Sequence, residues 1–408
     1  MADFIRNNLR RSAVALAMAS TLAVVGCQGQ KGNHEKAVSG ATARWHNMRS
    51  TSMLRLAQQQ FDAGDLDQAE RTLVEAMAVD VSNPALHVLS GRIALERGQL
   101  ERAADRFDTA IDLDEKLVAA YYYKGVVYQR WQQYDKALAM YEKAYSIKSD
   151  NVSFLMAMGE MYVAMNNRPK AIELLESKVM VFDQNASIRA ALGQLYYLDR
   201  DYTRAASYYK QASYLAPDNL QILENLANTQ LAAGQSAEAV RNFERLANEP
   251  ENKDRPGIRR MLALSYERAD RLQEARQIYI DLTRQDPRDA DAWFKLASLS
   301  LVTNDTAAAL SAAERVMALD GNRAEGYIIA AMVWQKRGRL DQAVRLFERA
   351  ASLSPQSAEP MILRGIALER AGQRDAAASS YAEALRRSPS DERAKNLLER
   401  VSRVDTTH

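Results

Sequence analysis

The sequence predicts an all-α solenoid, a row of ten helix-turn-helix hairpins, and three periodic series carry the prediction. Alanines recur at Ala69, Ala103, Ala137, Ala171, Ala205 and Ala239 with an unbroken spacing of 34 residues, and Ala275, Ala309, Ala343 and Ala377 continue the series. Twelve residues before each stands another small residue: Ala57, Gly91, Gly125, Gly159, Gly193, Ala227, Ala263, Ala297, Ala331 and Gly365. Five residues before the alanine, Gly64, Gly98, Gly234, Gly338 and Gly372 fall where a first helix should end at a glycine.

The first two series share one physical cause. Two helices approach closely only where a side chain is absent or a single methyl, so each hairpin needs a small residue on either helix at the crossing. Larger residues fill the remaining space, as Tyr128, Tyr134 and Tyr141 do in the third repeat and Tyr196, Tyr202 and Tyr209 in the fifth. The prolines agree with this phase. Pro217, Pro287, Pro355 and Pro389 fall between repeats, and Pro84, Pro256 and Pro360 begin first helices, where a missing amide proton costs little.

Ahead of the repeats, Met1 to Arg11 carries three arginines, Ser12 to Val25 is an uninterrupted run of small and apolar residues, and the run ends Val24-Val25-Gly26-Cys27. That is the layout of a secretory signal. Fourteen residues of helix reach roughly 21 Å, short of the ~30 Å hydrocarbon core, so the run is too short for a permanent span. The ending resembles the lipobox of bacterial lipoproteins, in which the cysteine is lipidated and becomes the new N-terminus, and Cys27 is the chain's single cysteine. The resemblance implies a tethered protein, and Gln28 after the cysteine implies sorting to the outer membrane, facing the periplasm. Residues 28 to about 40 are polar with Gly29, Gly32, Asn33 and Gly40, which reads as a flexible leash.

Stretches such as Tyr122-Tyr123-Lys124-Gly125-Val126-Val127-Tyr128 and Asp341-Gln342-Ala343-Val344 resemble the two helices of the tetratricopeptide repeat, and the resemblance runs from residue 50 to 391. It implies a right-handed superhelical solenoid with the first helix of every hairpin on the concave face. Residues 392 to 404 then read as a capping helix over the last hairpin. At the other end Ala41 to Ser50 can extend the first helix backward, with Trp45 and Met48 available to cover the first repeat.

The expected organisation is a signal peptide over 1–26, the lipidated cysteine and linker over 27–49, six repeats over 50–247, an irregular segment over 248–255, four repeats over 256–391, and the capping helix and tail over 392–408. The irregular segment arises because the interval from Ala239 to Ala275 is 36 residues, with the extra length in a polar, proline-rich stretch. It reads either as a hinge between a six-repeat and a four-repeat segment or as a longer rigid connection. The eighth repeat also departs, with Ala313 where the other nine repeats have Phe, Tyr or Leu.

In the family register, the groove-facing residues of the first helices are Phe61, Val88, Arg92, Tyr122, Val126, Gln129, Met156, Glu160, Val163, Gln194, Tyr197, Glu224, Asn228, Arg260, Glu267, Phe294, Ile328 and Met332. From Tyr122 through Tyr197 they are rich in Tyr, Met and Val, which suits capture of an extended or helical peptide. The plain alternative for the apolar members is packing between hairpins. Neither the family's carboxylate clamp nor its asparagine ladder fits, since only Asn225 and Asn228 match the asparagines those modes require.

Composition narrows the function further. From residue 27 onward 51 basic residues face 51 acidic ones, and a neutral chain lacks the basic face that nucleic acid requires. One cysteine and four scattered histidines offer no metal constellation and no cofactor site. Single glycines in repeat register make no phosphate cradle, and no segment outside the repeats is long enough for a catalytic domain. The expectation is a non-enzymatic scaffold of the cell envelope, similar to the repeat lipoproteins that serve pilus assembly, secretion, polysaccharide export or wall-hydrolase control. It would bind protein or peptide partners through the concave face and the membrane through the lipid anchor only. The alternatives are a self-associating structural component, or a cytoplasmic co-chaperone if the leader is not processed.

Overall fold

A computed structural model describes residues 31–403. Cys27, the leader before it and the tail after Arg403 lie outside the described residues. The described residues are all-helical, and twenty of the helices pair into ten hairpins. The first six hairpins are α1 (Lys31–Asp62) with α2 (Leu66–Val79), α3 (Pro84–Glu96) with α4 (Leu100–Leu113), α5 (Val118–Arg130) with α6 (Tyr134–Ile147), α7 (Val152–Ala164) with α8 (Arg168–Lys178), α9 (Ala186–Leu198) with α10 (Tyr202–Leu215), and α11 (Leu220–Ala232) with α12 (Ser236–Asn248). After a short 3-10 turn, Pro250–Asn252, come α13 (Pro256–Arg268) with α14 (Leu272–Gln285), α15 (Ala290–Val302) with α16 (Thr306–Leu319), α17 (Ala324–Lys336) with α18 (Leu340–Leu353), and α19 (Glu359–Arg370) with α20 (Arg374–Arg387). A last helix, α21 (Glu392–Arg403), follows.

The crossing geometry is the expected one. All ten phased alanines are fully buried, and at Gly91, Gly125, Gly193 and Gly365 the small residue twelve positions earlier faces a large ring sixteen residues on. A Cβ on Gly91 would lie 2.5 Å from the Phe107 ring, and one on Gly125 would lie 2.5 Å from that of Tyr141. Phe107, Phe243 and Phe347 are completely enclosed at this position, a burial whose loss to alanine costs about 3–5 kcal/mol.

Every hairpin turns through one left-handed residue, and the turn is more regular than its composition. Gly64, Gly98, Gly234, Gly338 and Gly372 take φ from 72° to 81°, and Gln132, Asn166, Arg200, Asp270 and Asn304 take φ from 57° to 65° at the equivalent position of the other five hairpins. Nothing would touch a Cβ at the five glycines, so backbone conformation and not space selects them.

The molecule forms two compact units that divide between Leu174 and Leu175, inside α8. The division does not fall at 248–255. In the second unit one apolar cluster runs through that segment, joining Phe243 and Leu246 of α12 to Ile258 and Leu262 of α13. Asn252 is buried and its Nδ2 donates to the Leu246 carbonyl at 2.8 Å, while Arg255 donates to Asn252 and to both oxygens of Glu224. The extra residues are thus held to the second unit through Asn252 and Arg255, while Glu251, Lys253 and Asp254 stay exposed.

The N-terminus needs two corrections. The segment expected as a leash is helical from Lys31, since α1 continues outward from its packed end, where each added residue gains a hydrogen bond without a new nucleation cost. Trp45 and Met48 do not cover the first repeat and are 50% and 66% exposed. The face of α1 that meets the hairpin carries Ser50, Leu54, Ala57 and Phe61, and helical phase places Trp45 and Met48 on the opposite side.

At the C-terminus α21 caps the last hairpin as expected. Ala394 and Val401 are buried against Ile362, Leu368, Ala384 and Tyr381, and Arg393 and Arg400 pair with Glu359 and Glu369. Polar residues take its outer face.

Two outcomes test this account by thermal and urea unfolding. Gly338→Ala should lose about 1–2 kcal/mol, the cost of a left-handed residue with a side chain, and Arg200→Gly should gain stability. Val401→Asp should destabilise the second unit by several kcal/mol, as for any charge buried without a partner, while leaving residues 31–174 protected from hydrogen exchange.

Candidate functional site

In the first unit the predicted groove residues divide between packing and exposure. The Arg92 guanidinium lies 4.4 Å from the Phe61 ring centre and 5.2 Å from that of Tyr123, and it donates to Gln58 Oε1 at 3.0 Å. Val88 and Arg92 line a shallow, mostly apolar cavity of about 390 Å³ with Leu54 and Leu117. Tyr122 and Val126 are packing residues. The Tyr122 ring stands 5.7 Å from Tyr141 and 5.5 Å from Phe154, and both residues join the cluster around Met158 and Met161. Met156 is half-buried, while Val163 and Glu160 reach solvent.

Gln129 accepts the phenol proton of the buried Tyr141 at 2.8 Å. The pairing recurs in the last hairpin, where Tyr381 Oη donates to Glu369 at 3.0 Å, the acceptor both times standing four residues after the small crossing residue. Burial pushes the Tyr141 phenol well above its ordinary range, so it donates as a neutral hydroxyl. Gln129 is thus committed to a buried phenol.

The charged positions are largely spent within the chain. Glu224 is bound by Arg255, Arg260 by Asp289, and Glu267 by Lys295 at 3.2 Å, each pair tying a first helix to the next hairpin or its connection. Burial alone would raise the Asp289 carboxyl, but the Ala292 amide and the Arg260 guanidinium outweigh it and hold the group below its usual value. Phe294 lies under Arg323 at 4.8 Å, Ile328 packs with Phe347 and Leu363, and Met332 is exposed. Glu160 is the exception among the charged set. Although its side chain reaches solvent, partial desolvation by the surrounding wall raises its carboxyl, and no cation among the described residues offsets the effect.

The predicted residues that converge are Gln194, Tyr197 and Asn228. They line a cavity of about 540 Å³ in the second unit, together with Tyr209, Asn225, Thr229, Leu231, Ala232, Met261, Leu264 and Arg268. Apart from Tyr209, the wall is built by α9, α11 and α13, the first helices of three consecutive hairpins, and their residues recur in repeat phase: Gln194, Asn228 and Leu264 directly follow the small crossing residue, and Asn225 and Met261 precede it by two. Gln194 Oε1 accepts from Tyr209 Oη at 2.9 Å, and Asn225 Oδ1 accepts from Gln221, which leaves the amide N–H groups of Gln194 and Asn225 unspent. Among the described residues no carboxylate pairs with Arg268.

The comparisons with known proteins bear on the same repeat. Sequence models of the tetratricopeptide repeat match residues 51–75, 132–195, 188–222, 224–281, 260–324 and 335–401, and a model described as TPR repeat matches 91–130. The chain belongs to the tetratricopeptide repeat family. No curated protein matches this tetratricopeptide repeat chain. Among solved structures it is similar to the C-terminal part of a TPR repeat-containing protein from Cytophaga hutchinsonii, at 16% identity over 67% of this chain and 97% of that one, with a TM-score of 0.45. It is also similar to pilF of Pseudomonas aeruginosa, at 16% identity over 50% and 92% with a TM-score of 0.43, and to MamA of Desulfovibrio magneticus, at 18% over 43% and 98% with 0.40. These likenesses are of fold alone.

Met261, Leu264 and Arg268 escaped the sequence reading although their repeat positions were legible. The phase gives the row a residue belongs to, and Asp62, Glu96, Arg130, Lys336 and Arg370 hold the place of Arg268 in other repeats, but only the tertiary structure brings Arg268 to one cavity with Gln194, Asn225 and Asn228.

The raised carboxyl of Glu160 sets a sign. Its stability contribution is full below the ordinary glutamate value, about 4.3, and is lost as pH rises through the raised folded value. Glu160→Gln should therefore be more stable than the parent at neutral pH, and urea unfolding at about pH 4 should show the difference gone.

Proposed function

We propose that the chain is a non-catalytic scaffold of a bacterial cell envelope whose second unit takes an extended peptide segment of a partner protein between α9, α11 and α13. Tetratricopeptide repeats generally mediate protein–protein interaction, and membership of that family supports the coarse reading. The observation that carries the finer one is the cavity at Gln194, Asn225, Asn228 and Arg268, where amide donors and a guanidinium remain unspent beside Tyr197, Met261 and Leu264. Side-chain amides at successive repeats suit the carbonyls of an extended backbone. The thioether and the phenol offer apolar contact, and Arg268 suits an acidic side chain of the same peptide.

The envelope placement rests on the arginine-bearing leader, the apolar run and Cys27 behind Val-Val-Gly, which together favour lipidation and a periplasm-facing outer-membrane tether. Complexes of pilus assembly, secretion, polysaccharide export or wall-hydrolase control are the settings this reading allows.

Site-specific photocrosslinking in cells tests the groove. A crosslinking side chain at Asn228 should capture a partner, and Arg268→Glu should reduce the adduct about tenfold, the size of a lost charge-assisted hydrogen bond. Adducts from Glu348 on α18 with none from position 228 would move binding off the first helices. For the tether, a fatty-acid probe should label the parent and not Cys27→Ser, and equal labelling would remove the lipoprotein reading.

A further inference from the structure

Only the C-terminal part of α1 meets the first hairpin, through Ser50, Leu54, Ala57 and Phe61. On the opposite side Val38, Trp45, Met48 and Leu56 stand 51%, 50%, 66% and 47% exposed. At 3.6 residues per turn these four positions fall within a strip roughly 80° wide and about 27 Å long. Arginines border it on both sides. Arg49 lies over the Trp45 ring at 5.2 Å, and helical phase places Arg44 and Arg55 along the other edge.

Arginines elsewhere in the chain are commonly paired with carboxylates, Arg97 and Arg102 with Glu70 among them. Among the described residues Arg44, Arg49 and Arg55 have no such partner. From Lys31 to Leu56 the helix carries five basic residues against Glu35 alone, whereas the rest of residues 27–408 holds more acidic than basic residues. No described helix is long and apolar enough to cross a membrane.

We propose that this face of α1 docks on an anionic lipid bilayer, lying in the interface with Val38, Trp45, Met48 and Leu56 toward the acyl boundary and the arginines on acidic headgroups. A long helix with low overall hydrophobicity, one apolar strip and basic flanks binds such surfaces, and tryptophan favours the headgroup level. A second copy of the chain fits poorly, since two-fold pairing of this face would set arginine against arginine with no carboxylate to separate them. The contact is independent of acylation at Cys27 and of peptide binding in the second unit, so either can fail without the other.

Residues 28–408 hold every helix and every buried cluster described above, so this chain, unacylated, is the protein to test. It should co-sediment with vesicles containing phosphatidylglycerol and not with vesicles of phosphatidylcholine alone, and high salt should release it. Each basic residue near such a surface is worth roughly fivefold in partition, so Arg44→Glu with Arg49→Glu should reduce binding at least about tenfold, and Trp45→Ala with Met48→Ala should reduce it similarly. All four side chains are solvent-exposed, and unchanged far-ultraviolet circular dichroism will show that the variants fold. Equal sedimentation with both vesicle types, or variants that sediment like the parent, overturns the proposal. So does a dimer in light scattering that the same substitutions abolish, which would assign the face to a second copy.

Discussion

In the hairpins a small residue on the first helix lies against the side chain sixteen residues later, a large one in every repeat but the eighth, and the rest of the packing depends on that contact. Gly91 against Phe107, Gly193 against Tyr209 and Gly365 against Tyr381 set how closely the paired helices approach. The approach fixes which face of the first helix is left for other uses. Where the large residue is Tyr141, Tyr209 or Tyr381, its hydroxyl must be satisfied inside the core, and an acceptor on the first helix is committed to it. The crossing contact thus reaches outward and decides the chemistry of a position otherwise available to a ligand.

A second allocation follows between hairpins. Glu224, Arg260 and Glu267 stand at first-helix positions expected to face the groove, yet each is engaged by a charge from the next hairpin or connection. These ties are partly exposed and individually weak. Their consequence is a removal of charge from the wall, so that the unpaired Arg268 and the amides of Asn225 and Asn228 define the cavity's character. Glu160 in the first unit keeps its charge at a cost, because burial opposes ionisation with no cation nearby. Polar groups left over after the chain has satisfied itself are those available to a partner.

The irregular parts obey the same accounting. The two extra residues before α13 stand in a polar stretch, yet Asn252 is drawn into the packing, where it shares the Leu246 carbonyl at the end of α12 with the Glu249 amide. At the N-terminus the reverse holds. Gly32 and Gly40 suggested a leash, and the helix nonetheless runs through to Lys31, carrying its apolar strip away from the hairpin. Local composition misled at the N-terminus because the outcome depended on whether a packed helix could continue outward.

The sequence by itself determined the repeat: the 34-residue period, the helix boundaries at proline and glycine, the capping helix, and the rows in which Gln194, Tyr197 and Asn228 stand. These are local or nearest-neighbour properties, set by helix periodicity and by the space between two paired helices, and a repeating sequence states them ten times over. Tertiary structure alone decided which members of a row are free. Glu267 and Glu160 both stand on first helices, but one is held by Lys295 while the other has no cation partner among the described residues. Whether a charge is spent depends on side chains some thirty residues away in the chain, brought within about 3 Å only when the hairpins stack.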